Sequence, residues 1–582
     1  VELLAPARDL DTLKAAFDAG ADAVYLGLKD FSARKAAKNF SFHDFVQAQG
    51  IKKSLAKKVY VALNTLIFQN EIPLLLDILA FLASTETDAI IIQDYGVYEI
   101  VKSFGLKIPI HASTQMGTKN HVQANFLKSL GFKRVVLERQ LSLSEITNIR
   151  NFTDIELEVF VHGALCFSLS GYCNFSKGFS ERSGNRGDCS QPCRWLFSGE
   201  SRNYHPFSMM DLEALSVLPT LKKIGINSVK IEGRMKGIDY VYPVVQAYRT
   251  AIDLLQKETL DVYNATQLSE LIKKSTLSRK SSTGFFFFQK TPKNLIDTNE
   301  SGTGLPIGKV ATVSKSSIYF KTSQELSVGD TIRIDNKNSE ERFKLPVKAI
   351  YLNNKKVHNA QGGSYIGIPA NLSNLKAGSN IYLVHRRKSY KPLQTIKIKK
   401  QTLPDYKELA KQINTLYEDM LKTVPTFKTE LKRVSFDFEK TVYNINGIGN
   451  VYFIPPTIYE SQLDIYKNLN SKKIEGAFVS NPAEALINKG LLIFGSFFLY
   501  ATNIFAINFF RSQGFKALSV SKDTNDVFKE IKHYNQLWFV WDNIPLCVSR
   551  LPIQKGVYRL CSKKDRKIVV KQADGNSYLF YC

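Results

Sequence analysis

Over its first 250 residues the chain alternates short apolar runs with amphipathic stretches, and it does so eight times. The runs fall at 2–5, 23–27, 59–64, 89–93, 109–112, 134–138, 156–162 and 228–232. Between them lie stretches of helical periodicity such as DLDTLKAAFDAG, EIPLLLDILAFLAST and DLEALSVLPTLKKIG, several closed by Gly as a helix stop should be. Eight strand–helix units in about 250 residues predict a (β/α)8 TIM-like barrel, with a doubly wound open sheet as the competing arrangement. A barrel keeps its chemistry at the C-terminal ends of its strands. Those ends carry Asn64, His111, Gln115, His162, Lys230, Glu232 and Arg234. One connection breaks the rhythm. About 48 residues separate the seventh run from a helix expected to begin at Asp211, where two to six are usual.

That long connection holds four of the seven cysteines, Cys166, Cys173, Cys189 and Cys193, spaced C-x6-C-x15-C-x3-C. Structural zinc sites pair knuckles of two cysteines two to four residues apart. Only Cys189 and Cys193 have that spacing. Iron–sulfur clusters also take four thiolates and tolerate irregular spacing, and a Gly-containing backbone can offer N–H groups to cluster sulfurs. On spacing alone an iron–sulfur cluster, a zinc site and unrelated buried cysteines all stay open. A thiol peptidase built on Cys166 and His162 leaves three cysteines unused, and an HExxH metal site is absent from the sequence.

The net charge of +25 is unevenly placed. Residues 1–250 carry 29 Lys+Arg against 25 Asp+Glu, so nearly all of the excess lies beyond them. A near-neutral enzyme core followed by a basic region suits a polyanion such as RNA, a Lys-rich composition bias being the plainer explanation. No apolar run is long enough to cross a membrane, and the first residues do not read as a secretory signal. No membrane partner and a cytoplasmic location are expected, and in that compartment clustered cysteines more often mean metal or redox chemistry than disulfides.

The expected organisation is α/β. A (β/α)8 TIM-like barrel at 1–255 carries the Cys-rich insertion at 163–205. A basic, partly helical linker at 256–304, a small β-barrel domain at 305–385, a basic linker at 386–432 and a degenerate second α/β unit at 433–582 follow. The run of Phe at 285–288, flanked by bases, reads either as a core strand or as a stacking surface for single-stranded RNA. The last unit is inferred from an internal echo. LYATNIFAINFFRSQGFKALSV parallels IHASTQMGTKNHVQANFLKSLGFKRVV, and LWFVWDNIPLCVS parallels LEVFVHGALCFS, which sets Cys547 opposite Cys166. Cys561 and Cys582 do not reproduce the first spacing, so a second cluster is not expected.

Several blocks resemble a known family. HGALCFSLSGYCNFS resembles the signature of the collagenase-like peptidase family, peptidase family U-32. The resemblance continues through ELLAPARDLDTLKAAFDAGADAVYLG, IHASTQMGTKN, RSGNRGDCSQPCR and VKIEGRMKGIDYVYPVVQAYR and covers residues 1–255. It implies, despite the peptidase label, an oxygen-independent hydroxylase with a cysteine-bound iron–sulfur cluster, [4Fe-4S] in type. Branches of the family are implied to act on ribosomal RNA, transfer RNA and ubiquinone precursors. RSGNRGDCSQPCR with a long C-terminal region is most like the branch that hydroxylates a cytidine of 23S rRNA to 5-hydroxycytidine, and the tRNA uridine branch is similar but shorter. In both RNA branches the resemblance implies prephenate, not O2, as the source of the hydroxyl. Carried over to this sequence, Cys166, Cys173, Cys189 and Cys193 become the cluster ligands. A collagenase-like peptidase is the alternative activity.

Other residues acquire candidate roles. Arg34, in FSARKAAKNF, suits a clamp for a substrate carboxylate, or is a solvated surface arginine. His111 and Gln115, in HASTQ, suit acid–base or hydrogen-bond work, or His111 is a satisfied core histidine. Lys230, Glu232 and Arg234 alternate and share one face of the eighth strand and its exit. There Lys230 and Arg234 would bind an anionic co-substrate and Glu232 would orient it or move a proton. The alternative is an ion-pair network inside the barrel. Asn64, at the end of the third strand, joins the substrate-binding set.

Overall fold

The computed structural model describes residues 1–582 apart from 200–202, 288–290, 300, 301, 303, 315, 338–340, 373, 387–400, 438, 439, 457, 460, 461, 467, 468, 470–472, 489, 522, 561–565, 574, 575 and 582. Eight parallel strands pair in chain order: Glu2–Pro6, Ala23–Leu26, Lys58–Leu63, Ala89–Ile92, Ile110–Ala112, Arg134–Val136, Glu156–Ala164 and Ser228–Ile231. The last pairs with both the first and the seventh and closes the barrel. All eight runs read from the sequence are strands of this TIM-like barrel. Asp9, Ser41, Asp94, Asn120 and Ser142 each start a helix by accepting a backbone N–H in its first turn.

The barrel interior is layered. Leu4, Ala23, Tyr25, Tyr60, Ala89 and Ile91 form an apolar cluster of their own inside it. At the bottom, Arg134 Nη1 reaches Glu2 Oε1 at 2.5 Å and Glu158 Oε2 at 3.1 Å, and Lys230 Nζ reaches Glu158 Oε1 at 2.8 Å. Two cations facing two carboxylates satisfy charges that would be costly alone in such a place.

The helix expected at Asp211 is a strand. Asp211–Glu213 runs antiparallel to the end of Glu156–Ala164 and parallel to Ser281–Ser282. Arg279 ties this edge together by bonding the Asp211 carboxylate through Nε at 3.0 Å. The helix, Leu218–Ile224, starts only where Pro stands in its first turn. The Phe run is no strand either. Phe285 and Phe286 are buried in a turn, Phe287 is exposed, and Phe288 lies outside the described residues.

Beyond the barrel, the strands from Leu305–Lys309 to Asn380–His385 form antiparallel sheets around a separate core that includes Ile318, Phe320, Ile332, Ile334, Ile366 and Ile368. The C-terminal unit has six parallel strands in the order Glu430–Ser435, Leu537–Asp542, Phe515–Val520, Leu492–Gly495, Gly476–Val479 and Gly449–Phe453, with Val442–Ile445 antiparallel at one edge. This is an open sheet, barrel-like but unclosed. Asn120 caps helix His121–Ser129, and Asn503 caps helix Ile504–Ser512.

The two units meet mouth to mouth, through reciprocal bonds. Asn120 Nδ2 donates to the carbonyl of Ile458 at 2.9 Å, and Asn503 Nδ2 donates to the carbonyl of Ile67 at 2.9 Å. The cysteine-bearing insertion is fastened to the second unit. Its segment Phe197–Ser198 pairs with Gly556–Leu560, and the N–H groups of Leu169 and Asn174 donate to the carbonyls of Val548 and Leu546.

Candidate active site at the barrel mouth

The loop after the second strand brings Arg34 over the barrel, and the exit of the eighth strand brings Glu232. Arg34 Nη2 lies 3.0 Å from Glu232 Oε1, Arg139 Nη2 lies 3.7 Å from Glu232 Oε2, and the Tyr25 hydroxyl lies 3.5 Å from that same oxygen. Burial pushes the Glu232 carboxyl up, but Arg34 and Arg139 together outweigh it and hold the group below the usual carboxylate range. Around this pair lies a cavity lined also by Asn64, Gln115, Cys166, Ser170 and Lys230. Its free space is about 60 Å³, room for a few waters.

Asn64 and Gln115 each spend a side-chain oxygen on the backbone. Asn64 Oδ1 accepts the N–H of Ala33 at 3.0 Å, and Gln115 Oε1 accepts the N–H of Gly171 at 2.7 Å. The first bond fixes the Arg34 loop, and the second fixes the cysteine loop. Each side chain keeps its NH2 group as a donor at the cavity wall.

Lys230 lines the cavity from below. Its ammonium is paired with Glu158 and lies 4.4 Å from the Tyr25 ring centre. Burial lowers its pKa against the pull of Glu158. Arg234 takes a supporting position. Its guanidinium bonds the Ser32 hydroxyl and the Asn39 side-chain oxygen, so it pins the loop that carries Arg34. Gly27 makes room for it, since a Cβ there would sit 2.3 Å from Arg234 Nη2.

His111 does not reach the mouth. It pairs across from Ile91 and Arg134 inside the barrel, with its ring 4.9 Å from that of Tyr60. Burial, with Arg134 and Lys230 nearby, pulls its pKa down to about 3, so the ring is neutral at ordinary pH. The alternation of the strand explains this: His111 faces inward one step before the exit, and Ser113 and Thr114 take the lining positions. His162 is also buried, with its ring 5.9 Å and 5.5 Å from those of Tyr240 and Tyr248. The charged groups that act on it are Asp211 and Lys236, and burial takes it down to about 4.

The four insertion cysteines are free thiols gathered in one loop. Cys166 and Cys189 are exposed, and Cys173 and Cys193 are partly buried. Burial, then Cys189, Cys193 and Cys166, raises the Cys173 thiol well above its ordinary value. Burial likewise pushes Cys193 up to about 12, with Arg194 opposing and Cys189 and Cys166 adding to it. Each thiol thus lies within the field of the others. The backbone supports them. Gln191 donates its N–H to Cys189 Sγ at 3.3 Å, and Gln191 itself takes the left-handed conformation at φ +56. Among the described residues, no three His, Cys, Asp or Glu side chains close on one another as a single-ion site would require.

Two participants carried no assigned role in the sequence reading, although Arg139 stands among its strand-end residues. Arg139 doubles the charge facing Glu232. Its signal was its place directly after a strand end. Cys547, fully buried, is raised by burial and then by Cys173 and Cys193, so it lies beside the cysteine loop. The internal echo had set it opposite Cys166. Cys561 and Cys582 lie outside the described residues.

Comparison with known proteins adds a family context. The sequence model described as Peptidase family U32 matches residues 8–296. A protein named as an uncharacterized protease from Methanocaldococcus jannaschii is 34% identical over 407 residues, which are 66% of this chain and 98% of that protein. The 23S rRNA 5-hydroxycytidine synthase of Escherichia coli is 35% identical over 348 residues, covering 57% of this chain but only 52% of that protein. The tRNA hydroxylation protein P1 of Bacillus subtilis is 36% identical over 282 residues, 45% of this chain and 67% of that protein.

Proposed function

The chain belongs to peptidase family U32, and on that premise we propose that it is an oxygen-independent RNA hydroxylase. The cofactor in this reading is an iron–sulfur cluster, [4Fe-4S] in type, held by Cys166, Cys173, Cys189 and Cys193. The target is a pyrimidine, first a cytidine of 23S rRNA and second a tRNA uridine. The observation that carries the reading is that one loop gathers four thiols within one another's field and that one of them, Cys166, lines a cavity that also holds Arg34, Arg139 and Glu232.

The donor set fits the cofactor. Four thiols of one loop, each within the field of the others, are the ligand set that a polynuclear iron–sulfur cluster takes. When bound, such a cluster would supply one-electron chemistry next to the cavity.

The protein's own part is binding and placement. A carboxylate-bearing donor such as prephenate needs cations, and Arg34 and Arg139 provide a two-sided clamp. Arg34, Arg139 and the Tyr25 hydroxyl all lie against Glu232. The NH2 groups of Asn64 and Gln115 suit the carbonyl of a base turned out of its stack. Glu232, kept ionised, is the acceptor for a proton leaving the cavity.

The test is nucleoside mass spectrometry of rRNA and tRNA from a strain lacking this gene, complemented with the parent or with Cys189→Ala. Loss of one hydroxypyrimidine, restored by the parent and not by the variant, is the expected result. Unchanged pools in both RNAs would overturn the reading, as would a colourless protein after anaerobic purification.

A further inference from the structure

A second concavity lies on the far side of the cysteine loop from the mouth cavity. It is a groove of about 530 Å³ between the segment Ser190–Leu196 and the small β domain, in the size range of sites that enclose small ligands. We propose that this groove is the seat of a single-stranded RNA segment flanking the target base, a proposal that rests on the RNA reading given above.

Charge, aromatic surface and position support it. Arg194 stands in the floor. Its guanidinium is fixed by the Ser208 hydroxyl at 2.9 Å and by the backbone carbonyls of Met209 and Leu165, all three of them uncharged. Lys337 and Arg342 stand on the opposite wall, both exposed. The acid among the lining residues, Asp335, is held by Arg333 at 2.7 Å and approached by Arg342 at 3.7 Å, so the wall stays cationic. Trp195, partly exposed, gives aromatic surface to this space, and Tyr382, buried with the Arg333 guanidinium 4.4 Å from its ring centre, lines the other side. Cations that follow a phosphate backbone, with aromatic rings between them, are what sequence-tolerant binding of single strands requires. A protein partner of acidic surface would use the cations and have no need of the rings.

Position gives the groove its meaning. Gln191 lines it and donates its N–H to Cys189 Sγ, and Arg194 bonds the carbonyl of Leu165, next to Cys166, which lines the mouth cavity. The cysteine loop therefore forms a wall shared by the groove and the cavity. A strand lying in the groove has the thiols one residue away, and one of its nucleotides can turn over the loop into the mouth.

The experiment uses the full chain and a fluorescent 12-nucleotide single-stranded RNA of mixed sequence, in binding titrations across salt concentration. The double variant Lys337→Glu with Arg342→Glu changes two exposed side chains of the β domain. It is expected to bind at least tenfold more weakly at low salt, with a salt slope lower by about 1.4, the equivalent of two phosphates on a single strand. Ultraviolet crosslinking of the parent should join RNA to peptides containing Trp195 or Tyr382. If the parent binds RNA and the variant binds equally well, or if crosslinks fall only elsewhere, the groove is not the RNA seat, although the RNA reading survives. If the parent binds no RNA, the groove and the RNA reading fall together. Iron content and the unfolding midpoint of the variant, both expected at parent values, separate a lost contact from a lost fold.

Discussion

Gly187 joins the two loops that make the site, and replacing it tests whether they meet as described. It sits in the SGNRGDC stretch at φ +75, and an added Cβ would lie 2.2 Å from the carbonyl oxygen of Ser32 and 3.1 Å from Ala33 Cα. Its own carbonyl accepts the N–H of Lys35 at 3.1 Å. Gly187→Ala carries a left-handed backbone cost of about 1 kcal/mol. The contact must also open by about 1 Å, and an overpacked contact of that kind costs about 1–3 kcal/mol. Gly105→Ala isolates the first effect, because Gly105 has φ +63 and no heavy atom within 4 Å of its added Cβ. The assay is a urea midpoint with iron and sulfide per chain after anaerobic reconstitution. Gly105→Ala should lose about 1 kcal/mol and keep full iron. Gly187→Ala should lose about 2–4 kcal/mol and hold less iron, because Cys189 lies two residues away on the displaced loop. Equal midpoints and parent iron content in both variants would refute the contact between the Arg34 loop and the cysteine loop.

Three further outcomes follow from buried charges. His111 has a folded pKa near 3 against an ordinary value of 6.5. Its share of stability is therefore complete above pH 6.5 and drains away as the pH falls toward 3, by about 3 kcal/mol at pH 4.5. A His111→Gln variant should show a flatter fall of its urea midpoint between pH 7 and 4.5, and a parallel fall would mean that the ring is protonated in the fold. Lys230→Met leaves Glu158 with Arg134 alone and should cost about 3 kcal/mol. Unchanged stability would show that one cation suffices. Arg550 grips Glu145 at 2.6 and 2.7 Å and the carbonyl of Gln140 at 2.6 Å. Arg550→Ala should speed amide hydrogen exchange in the strand Cys547–Ser549, with the barrel strands unchanged, and equal exchange in both would show that the clasp does not hold the units together.

The barrel was legible because its signal is local and repeated. Each strand is a short apolar run, and five of the helices between them bring a side-chain cap. Asp211 shows where this fails: DLEALSVLPTLKK has helical periodicity throughout, yet its first three residues are drawn into a strand by partners far along the chain, Arg279 among them. The site divides the same way. The Cys spacing and the charged exit of the eighth strand were visible in the sequence. The inward step that buries His111, the use of Arg234 to pin a loop, and the pairing of Lys230 with Glu158 depend on which neighbour each side chain meets. Residue type alone does not carry that information. The nearness of Cys547 to the loop needed the docking of a unit more than 350 residues further along.

The C-terminal unit holds the cysteine-bearing insertion in place over the barrel mouth. An insertion of some forty residues over a barrel mouth packs Phe167, Phe175, Phe179 and Phe197 into a cluster of rings with Phe207, which also meets Tyr558 of the C-terminal region. The second unit adds polar fastenings to that packing. Asp523 Oδ2 and the Tyr500 hydroxyl, both at its mouth, receive Asn185 Nδ2 at 2.9 and 3.1 Å, and Asn185 stands between Cys173 and Cys189. The strand Phe197–Ser198 pairs with Gly556–Leu560 in a separate antiparallel sheet that follows the parallel one. The reciprocal caps, Asn120 to Ile458 and Asn503 to Ile67, set the two mouths in register. An open six-stranded sheet has no need of a catalytic set of its own to do this. It needs loops at its strand exits that meet those of the barrel, as Asn503 and the carbonyl of Ile458 do.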